Sequence, residues 1–80
     1  MKYFFLEYDR PKGKLLLLTE YDDYESAAAY RLGREIDQRG NRDLELVVLG
    51  AEHRTDLEKT HARYFQNMAE LSAALLAIAH

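Results

Sequence analysis

LELVVL, residues 44–49, is a nearly unbroken apolar run closed by Gly50, and its leucines and valines suit a buried strand. It lies between two stretches of helical periodicity, so the order of elements turns on it. Upstream, Asp22-Asp23-Tyr24-Glu25 opens a helix, with Asp22 as cap and Glu25 completing a capping box, and the helix runs to about Gln38 and stops at Gly40. Ala28, Ala29, Leu32 and Ile36 form its apolar stripe. Gly33 costs roughly 1 kcal/mol relative to alanine inside a helix, and with Ala28 and Ala29 it suggests close packing against a neighbour. Downstream, Thr55-Asp56-Leu57-Glu58 is a second capping box, and from there to His80 no glycine or proline interrupts. Leu57, His61, Tyr64, Met68, Leu71, Leu75 and Ile78 recur at spacings of four and three, the rhythm of a helix seam.

Before the first helix, residues 3–8 and 15–21 are short apolar segments joined through Asp9-Arg10-Pro11-Lys12-Gly13-Lys14, a β-hairpin. A four-residue loop pairing Asp9 with Lys14 and a three-residue loop with a bulge at Gly13 both suit the turn, and both stay open. The resulting fold class is α+β, a two-layer α/β sandwich of ββαβα order. If its crossover strands are parallel, the sheet is three-stranded and mixed, with both helices on one face and a long C-terminal helix.

Eighty residues make a single domain, 1–80, and so small a core buries only about 60% of the surface of its unfolded chain. There is no cysteine, which removes disulfides and thiolate metal sites and is compatible with a reducing, cytoplasmic setting. With 48% hydrophobic residues, 31% charged residues and a net charge of −3, the composition is that of a soluble globular protein and not of a generally basic nucleic-acid binder. The first ten residues lack the pattern of a signal peptide, and the most apolar window, residues 68–79, is shorter than a membrane span.

Neither face of the sheet alternates cleanly. Phe4, Leu6 and Tyr8 fall on one side of the first strand and Tyr3, Phe5 and Glu7 on the other, so a sheet covered on one side would leave apolar surface open. A helix of about twenty-four residues would also overhang strands of six or seven. These features point to a homodimer or higher even homo-oligomer through Leu71, Leu75, Leu76 and Ile78 and the open-face residues Tyr3, Phe5, Leu16 and Leu18.

Catalytic signals are sparse. Glu7, Glu20 and Glu45 sit in apolar strands and would suit a hard cation if they converged, but charges at strand ends and edges also block aggregation. Glu58 and His61 make half of a carboxylate-bundle metal pattern, without the rest, and His61 fits a seam position better. His53 and Arg54, at a strand-to-helix link, are a possible anion site. Arg10, Lys12 and Lys14 make the hairpin tip basic, though no nucleic-acid motif accompanies them. Six tyrosines suit interfaces or core margins. The expectation is therefore an interaction or regulatory module with no catalytic, metal or cofactor residues. The rival readings are small-ligand binding in a tyrosine-lined pocket and a weak nucleic-acid contact at the hairpin.

Overall fold

In the computed structural model, which describes residues 1–66, the elements run β1 (Lys2–Asp9), β2 (Lys14–Tyr21), α1 (Tyr24–Asp37), β3 (Leu44–Ala51) and α2 (Arg54–Thr60), followed by a 3₁₀ turn at Ala62–Phe65. The ββαβα order and the α+β class are those read from the sequence. β1 is the middle strand, and it pairs antiparallel with β2 on one side and with β3 on the other.

The sheet is therefore antiparallel throughout, which corrects the expectation of a mixed one. β2 and β3 do run in the same direction, as a crossover through α1 requires, but β1 lies between them and each neighbouring pair is opposed. The β1–β3 ladder is continuous from Lys2↔Ala51 to Asp9↔Leu44. The LELVVL segment is consequently an edge strand, and its side chains are only half-buried.

The hairpin adopts the register that pairs Asp9 with Lys14 across residues 10–13. Gly13 has φ 60°, a left-handed conformation that glycine takes without a Cβ clash, and its N–H donates to the Arg10 carbonyl. The Asp9 carboxylate accepts from the Lys12 N–H, which further closes the loop. Glu7 pairs with Leu17 and Tyr8 with Leu15, so Leu16 is an extra residue on β2 that bulges out and is 49% exposed. The bulge lets both Leu15 and Leu18 reach the same face of the sheet, where they pack in the core.

Each face of β1 is covered by a different layer. Phe4, Leu6 and Tyr8 form a core with Leu15, Ala51, Leu57 of α2, and Tyr64 and Phe65 of the 3₁₀ turn. On the opposite face, α1 lies over Tyr3, Phe5 and Glu7, with the Tyr24 ring 5.7 Å from Tyr3 and the Tyr30 ring 5.0 Å from Phe5. Phe4, Phe5 and Leu6 are at most 1% exposed, so consecutive residues are buried in opposite directions. The expectation of two helices on one face is thus corrected. β1 is apolar on both sides, and leaving either side in water would forgo roughly 1.5 to 3 kcal/mol for each large side chain.

Asp23 caps α1, accepting from the Ser26 N–H at 2.8 Å and from its hydroxyl at 2.9 Å. Asp22, the cap expected from sequence, instead pairs with Lys2. The helix meets the sheet through Ala27, which is fully buried, and through Tyr24, Tyr30 and Arg34. The stripe expected to face the core lies largely on the far side: Leu32 and Ile36 are 59% and 55% exposed, and an added Cβ at Gly33 would meet nothing within 4 Å. Gly33 is thus no close-packing residue in this fold. α1 ends on the Gln38 cap, and Gly40, with φ 86°, turns the chain toward β3.

The second helix is also shorter than expected. It stops at Thr60 because His61 leaves the helical region, at φ −126° and ψ 48°, and the chain continues as a 3₁₀ turn. An unbroken helix from Thr55 to His80 is therefore excluded. The remainder of that expectation, with Leu71, Leu75, Leu76 and Ile78, falls at 67–80, outside the described residues.

Among the described residues, one ion pair crosses from α1 to the sheet. Glu7 is buried in the middle strand and accepts from Arg34 Nε at 2.5 Å and from Nη2 at 3.4 Å, which raises the Arg34 pKa through that hydrogen bond and the carboxylate's charge. Replacing Arg34→Ala would strand a buried carboxylate, so a loss of about 2 to 4 kcal/mol is expected in urea denaturation. A second change, Glu7→Leu in the Arg34→Leu background, should recover much of it. A single Arg34→Ala variant as stable as the parent would contradict this role.

Candidate functional site

The six tyrosines are used in pairs that tie layers together. Tyr3 meets Tyr24, Tyr21 meets Tyr30 with centroids 6.2 Å apart, and Tyr8 meets Tyr64 at 5.2 Å. Each pair joins a strand to a helix or to the 3₁₀ turn, and such contacts contribute beyond the area they bury. The Tyr3–Tyr24 and Tyr21–Tyr30 pairs lie on the α1 face of the sheet and the Tyr8–Tyr64 pair on the opposite face.

The strand carboxylates separate in the same way. Glu7 faces α1, Glu45 faces the 3₁₀ turn, and Glu20 is exposed. No three histidine or acidic side chains among the described residues lie close enough together to hold a metal ion. Glu58 is exposed, and His61 sits at the break after α2 with its ring 6.4 Å from that of Tyr64.

Glu45 is the centre of a polar cluster that sequence reading did not find. It belongs to β3 and accepts from Arg10 Nε at 3.3 Å, from Arg63 Nη2 and from the Tyr64 hydroxyl. Arg63 also lies over the Tyr64 ring, 4.3 Å from its centroid. Burial pushes the Glu45 carboxyl up, but the Tyr64 hydroxyl, Arg63 and Arg10 outweigh it and hold the group below the ordinary glutamate value. Burial, and then the Glu45 carboxylate, push the Tyr64 hydroxyl up. The only sequence signal was that Glu45 interrupts an apolar strand. Its partners come from the hairpin and from a segment expected to be regular helix.

At the start of α2, His53 is the cap residue and its N–H donates to the Asp56 carboxylate at 3.1 Å. Both His53 and Arg54 are exposed, and the Asp56 carboxylate adds a negative charge in the first turn. At the hairpin tip Arg10 folds back onto Glu45 and the Arg42 carbonyl, and leaves Lys12 and Lys14 as exposed tip cations. The basic run is thereby divided.

Of the residues expected at an interface, Phe5 is fully buried beneath α1, Tyr3 packs on Tyr24, and Leu18 packs against the core. The sheet face they were expected to leave open is covered by α1. Leu16 remains exposed, and the large exposed apolar side chains also include Leu32, Ile36, Tyr24 and Tyr30. No helix among the described residues is long and apolar enough to cross a membrane. No protein-family model, curated protein or solved structure matches the chain.

Because the folded Glu45 carboxyl ionises more readily than the unfolded one, its contribution to stability is present above the ordinary glutamate pKa of about 4.3. It is lost as the pH falls through the lower folded value. Acid titrations of the unfolding free energy should therefore be shallower below pH ~4.3 for Glu45→Gln than for the parent. Tyr64→Phe should cost about 1 kcal/mol at neutral pH. Parallel acid limbs for the parent and Glu45→Gln would rule out the cluster as a source of acid sensitivity.

Proposed function

We propose that the chain is a small self-associating interaction or regulatory module without catalytic activity, a cytoplasmic homodimer or higher even oligomer. The observation that carries this reading is the outward face of α1, where Leu32 and Ile36, one turn apart, are each more than half exposed. Ala29, on the same face, is also exposed, and Gly33 beside it adds no side chain. Small residues beside larger apolar ones let a second helix come close.

The occupant this reading assigns is a second copy of the chain. Two α1 helices related by a two-fold axis bury the same stripe on both subunits, so one sequence supplies both halves of the contact. The stripe alone is narrower than the roughly 800 Å² per partner of a standard interface. Residues 67–80 supply more apolar sequence, including Leu71, Leu75, Leu76 and Ile78, and the proposal assigns them to the same association. With no cysteine in the chain, a reducing compartment leaves its chemistry unchanged.

Replacing Leu32→Asp together with Ile36→Asp places charges on a face that is already solvated in the single chain, so the fold should survive. In sedimentation velocity the variant is expected at the single-chain mass of 9.3 kDa and the parent at a multiple of it. A parent chain that sediments at 9.3 kDa at micromolar concentration, or a variant that keeps the parent's mass, would refute the proposal.

A further inference from the structure

The last turn of α1, the 38–41 turn, Arg10 from the hairpin and the first residues of β3 enclose an open cleft of about 370 Å³. It lies on the flank of α1, beside the outward stripe and distinct from it. Its charged walls are Arg10, Arg31 and Arg39 against Glu35 and Glu45, a local positive excess in a chain whose net charge is −3. We propose that this cleft binds a small phosphorylated anion.

Two features beyond composition support the assignment. The first is that the walls are tied in place. The Gln38 N–H donates to the Arg34 carbonyl at 2.9 Å, the Asn41 N–H to the Gln38 carbonyl at 2.9 Å, and the Asp43 N–H to the Asn41 side-chain oxygen at 3.1 Å. The Arg10 N–H in turn donates to the Asp43 carbonyl at 2.8 Å, joining the hairpin to the same turn. Two of these bonds occupy the Arg34 and Gln38 carbonyls at the end of α1, so those oxygens already have a donor.

The second is donor capacity. Each guanidinium has five N–H donors. Arg10 uses Nε on Glu45 and Nη1 on the Arg42 carbonyl, Arg31 uses Nε on Glu35, and Arg39 has no ion-pair partner among the described residues. Glu45 is further neutralised by Arg63, on the other side of the sheet edge. A phosphoryl group presents three terminal oxygens and up to two negative charges, against two oxygens and one charge for a carboxylate, and so matches several guanidinium groups more fully. The volume falls within the range of small-molecule sites, which leaves room for more than the phosphate itself.

Inorganic pyrophosphate is the probe, followed by amide chemical shifts at constant ionic strength. Saturable shifts confined to Arg10, Arg31, Glu35 and residues 38–46 are expected, with affinity at least about tenfold weaker in an Arg31→Gln, Arg39→Gln variant. Arg39 is exposed and Arg31 partly so, and among the described residues Arg31 pairs only with its helix neighbour Glu35, so that variant keeps the fold, and an unchanged amide spectrum elsewhere verifies it. Lys12→Gln with Lys14→Gln should leave the affinity unchanged. The proposal is overturned by an absence of saturable shifts up to millimolar pyrophosphate, by equal affinity in the double arginine variant, or by citrate matching pyrophosphate. Tighter binding of a single-stranded oligonucleotide that depends on Lys12 and Lys14 would also overturn it, by making the hairpin the anion contact.

Discussion

The double burial of β1 is the constraint from which the architecture follows. A central antiparallel strand with hydrogen-bonded neighbours on both edges must find cover above and below, and KYFFLEYD is apolar on both faces apart from its ends and Glu7. One helix cannot cover both. α1 takes the face of Tyr3, Phe5 and Glu7, while α2 and the 3₁₀ turn take the face of Phe4, Leu6 and Tyr8. β1 stands at the centre because α1 passes across it to carry the chain from β2 to β3.

Polar contacts then specify how the layers sit. Apolar burial is non-directional, so Phe5 alone would accept several rotations of α1. The Glu7–Arg34 pair leaves fewer, since a buried carboxylate without its partner is costly. On the other face Glu45 does the same for the 3₁₀ turn, receiving Tyr64, Arg63 and Arg10. The edge-to-face tyrosine pairs add orientation to both layers. A short chain without cysteine thus relies on a few directional contacts around one strand.

Much of this was legible in the sequence and some was not, for physical reasons. Strands, turns and the first helix were readable because Pro11, Gly13, Gly40 and the capping residues act locally. Strand order was not, since a crossover returning beside its starting strand and one stepping over β1 have the same local signals. The rotation of α1 was misleading for a related cause. Its apolar stripe is real, but the contact with the sheet uses the buried Ala27, the rings of the part-exposed Tyr24 and Tyr30, and Arg34, whose attraction to the sheet depends on Glu7, a residue distant in sequence. The break at His61 has no glycine or proline to announce it. The polar cluster at Glu45 and the arginine cleft are assembled from distant segments and were visible only as isolated charges.

The inward use of Tyr24, Ala27, Tyr30 and Arg34 is what leaves Leu32 and Ile36 outside, so the same rotation that completes the fold creates the surface assigned to association. The most direct measurement is an isotope-filtered nuclear Overhauser experiment on a mixture of methyl-labelled and unlabelled chains. Contacts between the methyl groups of Leu32 and Ile36 in one copy and those of the same residues in another are the predicted result. If those methyls give no intermolecular contact while the chains still associate, α1 is not the interface, and if the chains do not associate at all, the account of its outward face fails.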